Sequence, residues 1–483
     1  MGIVIKQSGW NIGVTVLGFI FGAVNTVLLG PTFLGDDYFG LMGYVLSAAF
    51  LFFPLMSFGI NNTLVKFYSK YDDKNERDAF LTQMLLWPLI IIIPAFLIIY
   101  AFYDPIRLYI ANTNEITRDF VWHIAIIAVF QAYFEIFYAW TKVHMKTVGG
   151  NFLKEVFYRA SSTVMLLLVM IEVITPVQFI HSLVIIYALR VFIMKIVALK
   201  TYTPRWQLGK IKASGDLLHY SFLMILAGSV GTALLDLDKF MINDLMIIDN
   251  IAWYNVGVFI ATVIAVPARG MAQIMHPLTA GHFNRGEMVE VERLYKRSSL
   301  NLSIIAGFLV LIIVCNVNEF YELMRPEYRV GVPVVMLIAV VKYSESLLGS
   351  NNAILYNSDL YRVTLWLGLL LAVVAILLNM WLIPIYGLMG AAISTCVAYV
   401  MYAFAKAYYV YHKLKIHPWT SQTTLSVGLI LIFIVVFYFW DFNWHPVVNI
   451  ALKSLILSLT YLYVVRNLRL SKEINTLLKK YLP

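Results

Sequence analysis

Apolar runs of roughly 18 to 25 residues recur along the whole chain, separated by short polar connectors. In helical form such a run crosses the ~30 Å hydrocarbon layer of a bilayer. Lipid offers the backbone no hydrogen bonds, and a helix satisfies its own. Fourteen spans are predicted, near 10–30, 39–62, 80–103, 119–140, 154–171, 178–199, 216–240, 251–275, 298–317, 331–350, 363–383, 388–411, 421–440 and 446–465. The polar break between the seventh and eighth is slight.

The connectors alternate in charge. One set is basic: Lys66 to Arg77, Lys142 to Lys154, Lys200 to Lys212, Arg285 to Arg297, Arg362, Lys413 to Lys415, and the tail from Arg466 to Lys480. The other is short and poor in Lys and Arg, as in 31–37, 172–177 and 383–387. The positive-inside rule then places both termini in the cytoplasm, which an even number of spans requires. The first run, with one lysine before it and no small-residue cleavage site, is expected to be a retained helix.

The stretch 234–267 repeats an earlier one. Displaced by about 213 residues, Asn25 falls on Asp238, Leu28 on Met241, Gly40 on Trp253 and Pro54 on Pro267. Each copy has an apolar helix, a polar residue near its end, an acidic turn and a proline-broken helix. The predicted division is therefore 1–212 and 213–415 as two six-helix bundles, with 416–483 as two additional helices and a cytoplasmic tail.

Composition supports a membrane class. Hydrophobic residues make up 61% and charged residues 13% of 483 positions, and mean hydropathy is +0.78; soluble domains carry about 25% charge. The net charge of +9 reflects the loop bias and does not imply nucleic acid. Cys315 and Cys396 sit in apolar runs and are expected to be small buried hydrophobes, with no disulfide and no metal cluster.

Two polar segments show helical amphipathicity. Residues 287–298 place Met288, Val291, Leu294 and Tyr295 opposite Glu290, Arg293 and Arg297. The tail places Leu470, Ile474, Leu477 and Leu478 opposite Lys472, Lys479 and Lys480. Both are expected to lie on the anionic cytoplasmic leaflet. Gly9, Gly13, Gly18 and Gly22 mark a close helix approach in the first span. Pro54, Pro88, Pro94, Pro267 and Pro333 mark breaks or kinks.

Catalytic signatures are lacking: the sequence has no P-loop, HExxH, CxxC or GxSxG. Its nine histidines show no ligand spacing; His181 and His219 are the most interior and are expected to be hydrogen-bonded helix-end residues. Ionisable residues inside the spans remain: Glu135, Arg159, Arg190, Lys195, Asp236, Asp238, Lys239, Arg269, Lys342 and Glu345. These are costly in lipid and usually face protein or a water-filled cavity. Lys195, Arg269 and Lys239 lie near span ends and can snorkel. Tyr133-Phe134-Glu135 and Tyr343-Ser344-Glu345 lie about 210 residues apart, so each half brings a carboxylate near the same place. Two such bundles describe a transporter with a central cavity. Arg159, Arg190, Arg269 and Lys342 suit an anionic substrate such as a phosphate. Glu135, Glu345 and Asp238 suit coupling to H⁺ or Na⁺, or gating, with Asn25 in the place of Asp238 in the first half.

The run 377–402, with Ile383-Pro384, Tyr386-Gly387 and Gly390-Ala391-Ala392, resembles the late-helix signature of bacterial polysaccharide exporters of the O-antigen flippase (Wzx) type. Residues 34–68 are similar to that family's entry to its second helix. Residues 234–242, with Asp238-Lys239 for the usual Asp-Arg, are similar to its seventh helix. The family belongs to the superfamily of multidrug, oligosaccharidyl-lipid and polysaccharide exporters. The resemblance implies an all-α integral membrane fold of the MATE type, with two six-helix bundles in a V plus two C-terminal helices. It further implies a non-enzymatic flippase in the bacterial inner membrane, with no cofactor, moving undecaprenyl-pyrophosphate-linked oligosaccharide. Its expected partners are that lipid-linked glycan, membrane lipids, a polysaccharide polymerase and glycosyltransferases. A lipid II carrier would show more arginines in its first helices, whereas the first two spans here hold no internal Arg or Lys. Two alternatives are a cation-coupled multidrug extruder of the same fold and a membrane glycan polymerase or ligase. The short non-cytoplasmic connectors weigh against the latter, and the last two spans against the former.

Overall fold

A computed structural model describes residues 2–207, 214–227, 230–358, 360–442 and 444–481. Among these every regular element is a helix. Eleven helices are long and apolar enough to cross a membrane, and Ser421–Phe437 is a shorter apolar one. Two of the fourteen predicted spans remain. The fifth combines Val148–Phe152, a π-helical Leu153–Phe157 and Tyr158–Met170; the seventh is described as Ser214–Ala227 and Val230–Leu245. The turn between the seventh and eighth helices falls at 246–248, so the eighth begins at Asp249 and ends at Asn284. The three turn residues, Met246, Ile247 and Ile248, are themselves apolar, and the polar residues of the expected break, Asn243, Asp244, Asp249 and Asn250, lie in the helix ends on either side.

Prolines divide by position. Pro54 and Pro94 lie inside helices, and Pro88 precedes Leu89–Ala101. Pro267 and Pro333 occupy first turns, where the missing N–H would have had no partner anyway. Pro267 follows the 3₁₀ turn Val263–Ala265, which tightens the middle of the eighth helix.

The chain forms two compact units: Met1–Asn255 with Gly368–Pro384, and Val256–Leu367 with Ile385–Pro483. In the first, Leu64, Phe80, Met84, Phe134, Trp140, Met194 and their neighbours form a continuous buried core. Backbone contacts are close where glycine permits. A Cβ on Gly40 would lie 2.3 Å from the Ile248 carbonyl oxygen. Asn114 clasps the 246–248 turn: its amide nitrogen donates to the Asn243 and Met246 carbonyls, and its amide oxygen accepts from the Ile248 N–H at 2.8 Å. That side chain satisfies three backbone groups left over where the seventh helix ends.

In the second unit, the ninth helix (Met288–Cys315) packs with Ser421–Phe437 and Pro446–Asn467 around Ile304, Leu311, Phe433, Leu457 and Tyr461. The segment 287–298 is corrected here. It is the first turns of the ninth helix, and Val291 and Tyr295 are buried against Ile354, Leu355, Val410 and Ile416. Its apolar stripe meets protein, not lipid headgroups. The tail helix Lys472–Tyr481 also docks: Leu470 joins the core, Ile474 packs on it, and Glu473 pairs with Arg297. The side chains of Leu477, Leu478, Lys479 and Lys480 lie outside the described residues.

Candidate functional site

Helix irregularity localises the site before any charge is considered. The first helix, Gly2–Ala23, changes to a π-helix over Val24–Leu29 before resuming as Gly30–Phe33. The fifth has the same irregularity over Leu153–Phe157. A π-turn leaves carbonyls displaced from the α ladder, which is why it recurs at functional positions. The two helices meet closely: a Cβ on Gly18 would be 2.5 Å from the Glu155 carbonyl oxygen, whereas one on Gly13 would meet nothing within 4 Å. Of that glycine pattern, Gly18 is the contact position and Gly13 is not.

Asn25, on the first π-turn, donates from its amide to the Arg159 carbonyl at 2.8 Å and accepts from the Thr163 hydroxyl at 2.7 Å. Arg159 donates to the Glu155 carboxylate at 3.0 Å, with its guanidinium 5.5 Å from the Phe19 ring centre. Asn25 and Arg159, predicted separately, therefore belong to one network.

A second network lies on the fourth and sixth helices, Val121–Val143 and Pro176–Thr201. Glu135 is buried and accepts from Lys154 at 2.6 Å. Gln131, one turn earlier, approaches Glu135 at 3.4 Å and accepts from Arg190 at 2.9 Å. The Arg190 guanidinium lies 3.8 Å from the Phe134 ring centre and is 3% exposed. No carboxylate bridges Arg190 among the described residues, and its Nε is buried without an acceptor. The charge is held by a neutral amide and by the rings of Phe134, Tyr187 and Tyr158, the last two 5.4 and 6.0 Å away.

Asp238, fully buried, accepts from the Tyr254 hydroxyl and, at 2.8 Å, from the Asn379 amide. Lys239 points elsewhere, to Asp236 at 3.4 Å, and Asp236 also accepts from Ser47 at 3.0 Å. Asn25 and Asp238, matched by the repeat, both sit in polar networks, but their partners differ.

In the second unit Lys342 is buried, 3.5 Å from Glu345 and 5.4 Å from the Tyr399 ring centre. Glu345 is 40% exposed because it lies in the last turn of Val332–Leu347, so it is shallower than the sequence suggested. Arg269, in the first turn after the 3₁₀ break, is exposed, as is Lys195. His181 and His219 are exposed and not interior, because each falls on an outward helix face. His181 pairs with His123 at 2.7 Å.

Sequence reading missed Lys154, assigned to a connector, because a π-turn extends the fifth helix around it. It also missed Asn379, Lys406 and the Lys453–Glu319 pair, which is buried with the Cys315 carbonyl 2.9 Å from Nζ. The two lysines were detectable by the rule that isolated ionisable residues in apolar runs matter. Asn379 carries no comparable signal.

The sequence matches the family described as Polysaccharide biosynthesis protein over residues 4–278, more than half of the chain. This chain belongs to that family. No curated protein is detectably similar to it in sequence. Among solved structures, the lipid II flippase MurJ in an inward closed conformation is similar with a TM-score of 0.68 at 14% identity, covering 96% of this chain and 99% of that one. An inward-facing multidrug resistance MATE transporter of the MOP superfamily gives 0.61 at 10% identity, covering 84% and 98%. A MOP superfamily transporter from Pyrococcus furiosus gives 0.56 at 13%, covering 86% and 95%. The fold is therefore that of the MOP exporters, and the expected all-α MATE-type architecture holds for this multi-pass membrane protein.

Proposed function

We propose that this member of the polysaccharide biosynthesis family is a flippase for undecaprenyl-pyrophosphate-linked oligosaccharide, an O-antigen or other surface-polysaccharide repeat unit. It moves that lipid from the cytoplasmic to the periplasmic leaflet of a bacterial inner membrane by alternating access, with both termini cytoplasmic and no covalent step. The repeats 1–212 and 213–415 act as its two moving bundles, and 416–483 is an accessory pair of helices with a tail.

The observation that carries this reading is Arg190. Burying a guanidinium costs several kcal/mol unless charge and hydrogen bonds compensate, and here the protein supplies one amide oxygen and three aromatic rings but no bridging carboxylate among the described residues. An arriving diphosphate offers paired anionic oxygens to the planar fork of an arginine. Arg159, Lys154, Arg269 and Lys342 add further positive charge. Glu135, Asp238 and Glu345 take the coupling or gating roles, with H⁺ or Na⁺ as the ion and Asn25 holding the first π-turn. A glycosyltransferase set supplies the substrate, and a polymerase consumes it after flipping.

Export assayed in cells lacking their own flippase tests this. Wild type should restore surface glycan, and Arg159→Ala with Arg190→Ala should abolish it at unchanged protein level. Unimpaired export by the double variant would remove the cationic site.

A further inference from the structure

Lys406 lies on the twelfth helix, Leu388–Leu414, in a run with no other lysine or arginine between Arg362 and Lys413. It is 4% exposed. Its Nζ donates to the Asn352 amide oxygen at 3.1 Å and sits 4.3 Å from the Tyr402 ring centre. No carboxylate bridges it among the described residues. One helical turn before Tyr402, the Tyr399 ring meets it edge to face at 6.4 Å and carries Lys342 above it at 5.4 Å.

The charges do not balance. Glu345 pairs with Lys342 at 3.5 Å and acts on the Lys406 ammonium only from beyond ion-pair distance, so two buried lysines share one carboxylate, and the direct neighbours of Lys406 are an amide and a π face. A buried ammonium in that condition is complementary to one anionic group. Lysine is a compact point charge and lacks the fork that takes up a diphosphate, so a single carboxylate is the better match. Tyr402, Asn352 and Glu345 are only partly buried, so the ammonium is approached past them. The Tyr402 ring beside an amide and a carboxylate gives a surface that is apolar on its face and hydrogen-bonding at its edges. A pyranose ring has the same character.

We infer that Lys406, Asn352 and Tyr402 form a subsite for an acidic sugar, with Lys406 taking the sugar carboxylate and the Tyr402 ring its ring face, while the buried Tyr399 supports Tyr402 from behind. This rests on the flippase reading and narrows it: the glycan carried contains a uronic-type acid, bound in the second unit.

The test uses two flippase-deficient hosts, one making a lipid-linked repeat unit with a uronic acid and one making a neutral unit. Surface glycan and membrane protein level are measured for wild type, Lys406→Met, Lys406→Arg and Asn352→Asp. The last variant sets a carboxylate against Lys406 from within and so occupies the ammonium without emptying the site. Wild type should export the acidic unit. Lys406→Met and Asn352→Asp should each lower that export at least tenfold, and Lys406→Arg should retain most of it. The neutral unit, where exported, should change less than twofold in any variant. An equal fall for both units, no fall in either, or export of the neutral unit alone overturns the subsite and leaves the flippase reading standing. Export of neither unit by wild type overturns the flippase reading itself, and the subsite with it.

Discussion

Lys154 leaves the π-turn of the fifth helix and reaches Glu135 on the fourth, nitrogen to oxygen 2.6 Å, although the lysine is 39% exposed and the glutamate almost wholly buried. The pair is asymmetric, since water shields one partner and not the other. Lys154→Met should therefore destabilise the protein by about 2 kcal/mol, less than a fully buried pair would lose. Adding Glu135→Gln should recover part of that loss, because no unpaired buried carboxylate then remains. Chemical denaturation of wild type and the two purified variants in detergent checks both statements; a double variant no more stable than Lys154→Met would show that the two residues do not act as a pair.

Gly18 and Gly13 make a controlled comparison on one helix. Gly18→Ala forces a methyl group to 2.5 Å from a backbone oxygen that cannot rotate away, while Gly13→Ala meets open space. Overpacking of that kind costs about 1–3 kcal/mol, and alanine gains roughly 0.5–1 kcal/mol over glycine in a helix interior. The melting temperature should fall for Gly18→Ala and stay level or rise for Gly13→Ala. Equal shifts would mean the helices do not approach at Gly18.

Asp238 accepts hydrogen bonds from Tyr254 and Asn379. Asp238→Asn keeps the shape but removes the charge and gives the residue an amide donor beside another amide. If Asp238 couples or gates, export should fall by at least tenfold with the protein still folded in the membrane. Tyr254→Phe, which removes one donor and leaves the carboxylate, should cost about 1–3 kcal/mol of stability and reduce export less. Normal export by Asp238→Asn would reduce Asp238 to a structural acceptor.

In the connector before the ninth helix, Arg285 grips Glu287 with two bonds of 2.9 Å and His282 approaches at 2.6 Å. The arginine first, and the histidine second, hold that carboxyl at about 2, down from an ordinary value of 4.5. A carboxyl depressed on folding stabilises above its ordinary value, and that contribution is lost as pH falls from 4.5 towards 2. Carbon-detected NMR of labelled glutamate should show Glu287 titrating well below its peers, and Arg285→Ala should return it towards them. Because the group is exposed, high salt should narrow the difference.

Span positions were legible because lipid enforces one rule on every segment: about twenty apolar residues in a helix. The segment 287–298 was misread because a stripe of Val291 and Tyr295 has the same period whether it faces headgroups or Ile354 and Val410. Candidate charges such as Arg190 were legible by their cost in apolar surroundings. Their partners were not, since Gln131 and Phe134 come from another helix and look ordinary in sequence. Lys154 was hidden by a π-turn, which no hydrophobic period announces.

The π-turns at Val24–Leu29 and Leu153–Phe157 also act as phase slips. Each holds one residue more than an α-turn would, so everything beyond it is rotated by about 100° relative to an uninterrupted helix. A helix built this way tolerates losing a residue at the slip better than anywhere else, because the deletion restores α geometry instead of breaking it. It also means that these two helices can redistribute their faces by moving the slip along the axis, one carbonyl at a time, with no change in length and no unfolded segment exposed to lipid.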